Sequence, residues 1–159
     1  MSDPIAVYFA GEKQGGALCL ALGAVAIALA IWVWRAHPPF RAMAVPLVLI
    51  AVVQLGIGAA LVARTGKQVA TLRADLARDP MAARAGEVAR MERVNANFKR
   101  IKVLEAMLIV SALVMILAFR GRPAVTAVGR GLLLQAAVML AFDMFAEHRA
   151  LIYTSWLRG

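Results

Sequence analysis

Residues Gly15–Trp34 run for twenty positions without a charged side chain. In an α-helix that is about 30 Å, the thickness of a bilayer's hydrocarbon core. No soluble domain needs such a run. A second follows at Ala42–Ala63, broken only by Pro46 and Gln54. A third occupies about 103–119, although its charge-free part is only Ala106–Phe119. The fourth has a charge-free stretch of twelve, Gly131–Phe142. Twelve residues make about 18 Å of helix, too short to cross. The fourth span therefore takes in Asp143 and runs over about 130–150, with Arg130 able to snorkel from one end.

Composition supports this reading. Hydrophobic residues make up 62% of the 159 but aromatics only 7%, so the apolar excess is aliphatic, as in lipid-facing helices. The net charge of +9 would suggest nucleic acid in a soluble protein. Here Lys and Arg collect beside the spans, where they set topology and meet anionic lipid headgroups. No helix-turn-helix or RNA-binding signature accompanies them, so no nucleic acid partner is expected. Cys19 is the only cysteine, which excludes an intrachain disulfide and a multi-cysteine metal site. The N-terminal segment lacks the basic stretch and cleavage site of a signal peptide.

Four spans put both termini on one side, together with the connection at about 64–102. Most of the 18 basic residues and all nine acidic ones fall there, which points to cytoplasmic termini. The connection carries Val62, Val69, Leu72 and Leu76, then Met91, Val94, Phe98 and Ile101, at three-, four- and seven-residue spacing. Asp79-Pro80 between them is a turn signal. Two helices extending beyond the membrane and pairing as an antiparallel hairpin are expected, the second from about 42 to 78 and the third from about 81 to 119. The outer face of the hairpin is basic. It is a solvated face, or else a surface for a protein partner or for lipid headgroups.

At the N-terminus Asp3 suits a helix N-cap with Pro4 next. Ile5, Tyr8, Phe9 and Glu12 then share a face, so residues 3–13 read as a short interfacial helix lying on the membrane. Tyr153 and Trp156 suggest another interfacial piece at the C-terminal end. The expected fold is thus all-α: a single polytopic membrane domain, a four-helix bundle with a long cytoplasmic helical hairpin between the second and third spans.

The stretch AFDMFAEHRA at 141–150 raises the functional question. Asp143 and Glu147 are one helical turn apart and share a face. Like charges that close repel, and such a pair suits holding a cation or sharing a proton. Glu105 can face it from the third span and Glu12 from the start of the first, giving a four-carboxylate cluster at the membrane edge. Ionisable groups at membrane depth are functional candidates. Alternatively Lys13, Arg100, Lys102 and Arg149, in the same layer, neutralise the acids and tie the helices together as an ion-pair girdle. His148 points away from Glu147, and the Glu-x-x-His spacing of di-iron bundles is absent. A metal among Asp143, Glu147 and His148 would be a divalent cation held by oxygens. No other cofactor is implied.

Gln54 and Gln135 are intramembrane amides, read as interhelical hydrogen-bond partners or as pore contacts. Gly15, Cys19 and Gly23 on the first span, and Gly56 and Ala60 on the second, form small-residue ridges. These are packing seams within the bundle or between the subunits of a homo-oligomer. No nucleophile relay and no phosphate-binding glycine loop appears, so an enzyme is not expected.

The segments YFAGEK before the first span, RMERVNANFKR entering the third and DMFAEHRALIY ending the fourth resemble a group of small uncharacterised bacterial four-span inner-membrane proteins. That resemblance implies a fold and a compartment, the bacterial inner membrane, and no activity. Small multidrug exporters also have four spans, but they work through a Glu in the first, where this chain has no charge. Two functions follow. One is a non-enzymatic accessory or scaffold protein whose hairpin docks a partner or lipid. The other is a cation or proton carrier or channel using Asp143, Glu147, Glu105 and Glu12.

Overall fold

A computed structural model of the chain describes residues 3–159. It is built of four long helices: α1 Pro4–Ala36, α2 Ala44–Arg78, α3 Pro80–Ala118 and α4 Pro123–Arg158. A short 3-10 turn, Pro38–Met43, joins α1 to α2. Each helix is long and apolar enough to cross a membrane, the mark of a membrane protein built as a helical bundle. The window in α4 is the least apolar, with a mean hydropathy of 1.7 against 2.3–2.5 for the others, because it carries the charges that shortened its apolar run.

Prolines and aspartates punctuate the chain. Asp3 caps α1, accepting from the Ile5 amide at 3.0 Å. Asp79 alone separates α2 from α3. Its amide donates to the Asp75 carbonyl at 2.8 Å, closing α2. Its side chain accepts from the Ala82 amide at 3.0 Å, opening α3 with Pro80 first. One residue thus satisfies both helix ends. Pro46 lies in the first turn of α2, where it removes no helical hydrogen bond.

α1 packs along α2 and α3 along α4, and α4 crosses onto α2 and the 3-10 turn. The first seam is close. A Cβ on Gly58 would lie 2.7 Å from the Gly16 carbonyl oxygen and 2.9 Å from the Leu20 amide nitrogen, so only glycine lets the two backbones approach this far. The α2 ridge expected at Gly56 and Ala60 is not part of that seam. Gly56 has open space around it, and the contact face lies two residues along. The period of small residues shows that a seam exists, but it does not fix which face meets which helix.

Counting about 20 residues, roughly 30 Å, inward from the outer turns reaches Gly16 on α1, Arg64 on α2 and Asp143 on α4. Beyond that level all four helices continue for another three turns or more as a collar. This corrects two expectations. Residues 3–13 do not form a separate helix lying on the surface: they are the first turns of α1, which runs unbroken to Ala36. The C-terminal aromatics are likewise the last turns of α4. The two legs over 64–102 belong to α2 and α3 and meet at the Asp79 turn, and the other two helices cover them as well. Leu72 of α2 and Met91 of α3 are buried in one cluster with Ile5, Tyr8 and Phe9 of α1 and Ala150, Tyr153 and Leu157 of α4. Val69, Leu76, Val88, Val94 and Phe98 pack against it. The apolar stripe of the two legs is closed by the chain's own ends, because the Tyr8–Phe9 face buries more area there than on a headgroup layer.

Candidate functional site

The collar core contains a buried polar network. Arg90 grips Glu87 with two hydrogen bonds, 2.8 Å from Nε and 2.7 Å from Nη2. The Tyr153 hydroxyl donates to Glu87 Oε1 at 3.1 Å. Tyr153 stacks on Tyr8, and the Arg90 guanidinium lies over the Tyr8 and Phe9 rings at 5.9 and 5.5 Å. Burial pushes the Tyr8 hydroxyl up to about 12, with Glu12 adding to it. Burial and Glu87 push the Tyr153 hydroxyl up too. Burial disfavours the Arg90 charge, but Glu87 outweighs it and holds the guanidinium charged. Around this core Arg84 donates to the Leu157 and Trp156 carbonyls at 2.7 and 3.0 Å, satisfying the free end of α4. Asn95 donates to Thr154 at 3.0 Å. Exposed pairs Arg73–Asp3 and Arg158–Glu92, both 2.8 Å, add little.

One layer lower lie the acids singled out from the sequence, and they separate into two kinds. Glu12 pairs with Arg64 at 3.3 Å, from α1 to α2. Glu147 pairs with Lys102 at 2.5 Å, from α4 to α3. These two make the girdle. Glu105 and Asp143 do not join it. They are 5% and 7% exposed, and they lie near enough for each to act on the other's charge. Among the described residues no Lys, Arg or His forms an ion pair with either. One oxygen of Glu105 is buried with no hydrogen-bond partner. Cys19 is also buried.

The four-carboxylate cluster is therefore not assembled. Asp143 and Glu147 share a helix face, as four-residue spacing requires, but one turn carries Glu147 up to Lys102 and leaves Asp143 against Glu105. His148 is exposed. Among the described residues no three His, Cys, Asp or Glu side chains are placed to hold a metal ion. Two facing carboxyls with no cation between them can relieve their repulsion by holding one proton. Of the basic residues expected to neutralise the acids, Lys102 does so. Lys13 and Arg100 are exposed, and Arg64, from the hairpin, takes Glu12.

Deeper in the bundle Gln54 Nε2 donates to Gln135 Oε1 at 3.1 Å, linking α2 to α4. Gln135 in turn donates to the Leu47 carbonyl at 3.5 Å. The Gln54 carbonyl oxygen is buried without a partner.

A second candidate lies between the legs of the hairpin. Because α1 and α4 fill the far side, α2 and α3 leave a cleft of about 750 Å³ between them. Its rim carries the exposed Arg64, Lys67, Arg78 and Arg93 against Asp75 and Asp79, with buried Glu87 and its half-buried partner Arg90 deeper in the lining. Its floor is small or apolar, with Ala82, Ala83, Gly86, Leu72 and Phe9 among the lining residues. Lys67 and Arg93 stand at similar distances along the chain from the Asp79 turn, on opposite legs, and neither is in an ion pair among the described residues.

Sequence reasoning missed Glu87 and the aromatic clamp. The i,i+3 spacing of Glu87 and Arg90 was a signal for their pairing; nothing in the sequence joined either to Tyr8 or Tyr153. Compared with known proteins, the chain matches no family model, no curated protein and no solved structure.

Proposed function

We propose that this is a non-enzymatic accessory protein of the bacterial inner membrane, with both termini and the collar in the cytoplasm, that docks an acidic segment of a partner protein in the cleft between α2 and α3. The cleft carries this reading. Its basic rim complements acidic side chains, and its floor of small and apolar residues suits the other face of an amphipathic segment. From Arg64 to Arg78 it extends about 21 Å along α2, longer than a lipid headgroup at the membrane edge needs. The outer basic face of the hairpin then has a use beyond solvation. The test is binding of acidic amphipathic peptides to the purified full chain, read by fluorescence anisotropy across a salt series. Reversing two of the three rim cations that form no ion pair among the described residues (Lys67→Glu with Arg93→Glu) lowers the association rate about tenfold and flattens its salt dependence. Equal binding by wild type and variant would remove the docking role.

One observation favours a second reading. Glu105 and Asp143 keep two acids buried together without a counter-charge, a costly arrangement that a purely structural girdle does not need. In this reading the pair takes up and releases one proton at the inner edge of the apolar layer. Proteoliposomes report it directly. Proton flux that Glu105→Gln and Asp143→Asn abolish, while Glu12→Gln leaves it in place, supports the carrier. No flux in the wild type rejects it.

A further inference from the structure

Arg149 is the odd cation of the charged layer. Its neighbours Arg64 and Lys102 are taken by Glu12 and Glu147. Arg149, half-buried, pairs with no acid among the described residues. It lies flat on α1 instead. A Cβ on Gly11 would sit 3.1 Å from Arg149 Cδ, and one on Gly15 3.2 Å from its Nη2. The two glycines thus make a bed for a guanidinium rather than a seam for a helix.

Below this bed runs a groove between α1 and α4 of about 460 Å³. Its top is polar, with Arg149 and Gln14. The rest is apolar, walled by Leu18 and Leu22 on one side and Val138, Phe142 and Phe145 on the other. Leu18 and Phe145 are 52% and 70% exposed, so the walls face the lipid. From Arg149 to Val138 the groove descends about 16 Å along α4, starting at the layer where headgroups meet hydrocarbon. Its shape is that of a single lipid: one anionic group at the rim, one chain below it.

We infer that this groove holds an anionic phospholipid of the inner leaflet, its phosphate on the Arg149 guanidinium and one acyl chain between Leu18 and Phe145. Charge complementarity selects the lipid class, since a zwitterionic headgroup brings its own cation to the same place. Gly11 and Gly15 are then residues of a lipid site, because larger side chains there would lift the guanidinium off its bed. The inference rests on the membrane reading but not on the hairpin cleft.

The test uses the full chain in nanodiscs of mixed phosphatidylglycerol and phosphatidylcholine, released for native mass spectrometry. Incorporation into the discs itself reports on the membrane reading. The wild type retains phosphatidylglycerol over phosphatidylcholine about fivefold, the effect of one basic side chain at the headgroup layer. Arg149→Gln abolishes that preference. Leu18→Trp leaves the cation in place and fills the trough, and it lowers retention of either lipid. Lys67→Gln with Arg93→Gln changes neither, and added inorganic phosphate does not displace the lipid. An unchanged preference in Arg149→Gln, or unchanged retention in Leu18→Trp, overturns the site. If Arg149→Gln does not fold, Leu18→Trp alone decides.

Discussion

Tyr153 lies flat on Tyr8, with ring centroids 4.3 Å apart and planes 7° from parallel, so the last helix is clamped to the first well outside the apolar layer. The clamp is what closes the collar. Tyr153→Ala removes the stack and the hydroxyl that donates to Glu87. It is expected to lower stability by about 3–5 kcal/mol, as loss of a buried aromatic does. Thermal unfolding in detergent gives the size, and faster proteolysis within 64–102 gives the place.

Glu87 and Arg90 test the clamp from its charged side. Their side chains are 7% and 24% exposed. Glu87→Ala strands the guanidinium and is expected to cost about 3–5 kcal/mol. Replacing both by leucine removes the stranded charge, so the double variant is expected to recover most of that loss. A double variant no more stable than Glu87→Ala would show that the pair's own hydrogen bonds carry the collar.

Alkaline pH loosens the same core. The Tyr8 hydroxyl stands at about 12, above its ordinary 10.0, so the folded state holds its proton more tightly than the unfolded chain. That stability is present in full below pH 10 and is lost as pH rises from about 10 to 12. The Tyr8→Phe variant keeps the ring without the ionisable group. It is expected to show a smaller loss of thermal stability across that interval, while the wild type loses stability as its tyrosinate absorbance grows.

Two glycines on α2 make opposite predictions. A Cβ on Gly58 meets backbone atoms of α1 at 2.7 and 2.9 Å, so Gly58→Ala forces the helices apart and costs about 1–3 kcal/mol. A Cβ on Gly56 meets nothing within 4 Å. Gly56→Ala is expected to be neutral or to stabilise by up to about 1 kcal/mol through helix propensity alone. Unfolding midpoints of the two variants, measured side by side, check the placement of the seam.

The helices were legible in the sequence because charge-free runs of known length have few alternatives. The Asp79-Pro80 turn was legible for the same kind of reason: proline cannot continue α2, and aspartate caps α3. The partners were not. Three- and four-residue spacing marks which face of a helix is apolar, but Leu72 and Met91 look the same whether covered by each other or by Tyr8 and Tyr153. The choice of ion pairs is equally three-dimensional. Glu12 stands next to Lys13 in the chain yet pairs with Arg64, because neighbours in a helix point about 100° apart while residues on packed helices can meet head-on. Asp143 and Glu105 were recognisable as acids near the membrane edge. That they meet each other rather than a cation follows only from the register of α3 against α4.

No helix breaks where the apolar layer ends. α1 runs unbroken from the collar core at Ile5 to the outer turn at Ala36, about 50 Å, and the other three are as long. Collar and membrane sections are therefore arms of the same levers. Whatever wedges α2 from α3 in the cleft swings α2 against α1 at Gly58 and α3 against α4 at Glu105, so a grip taken in the collar is felt as a tilt inside the bilayer.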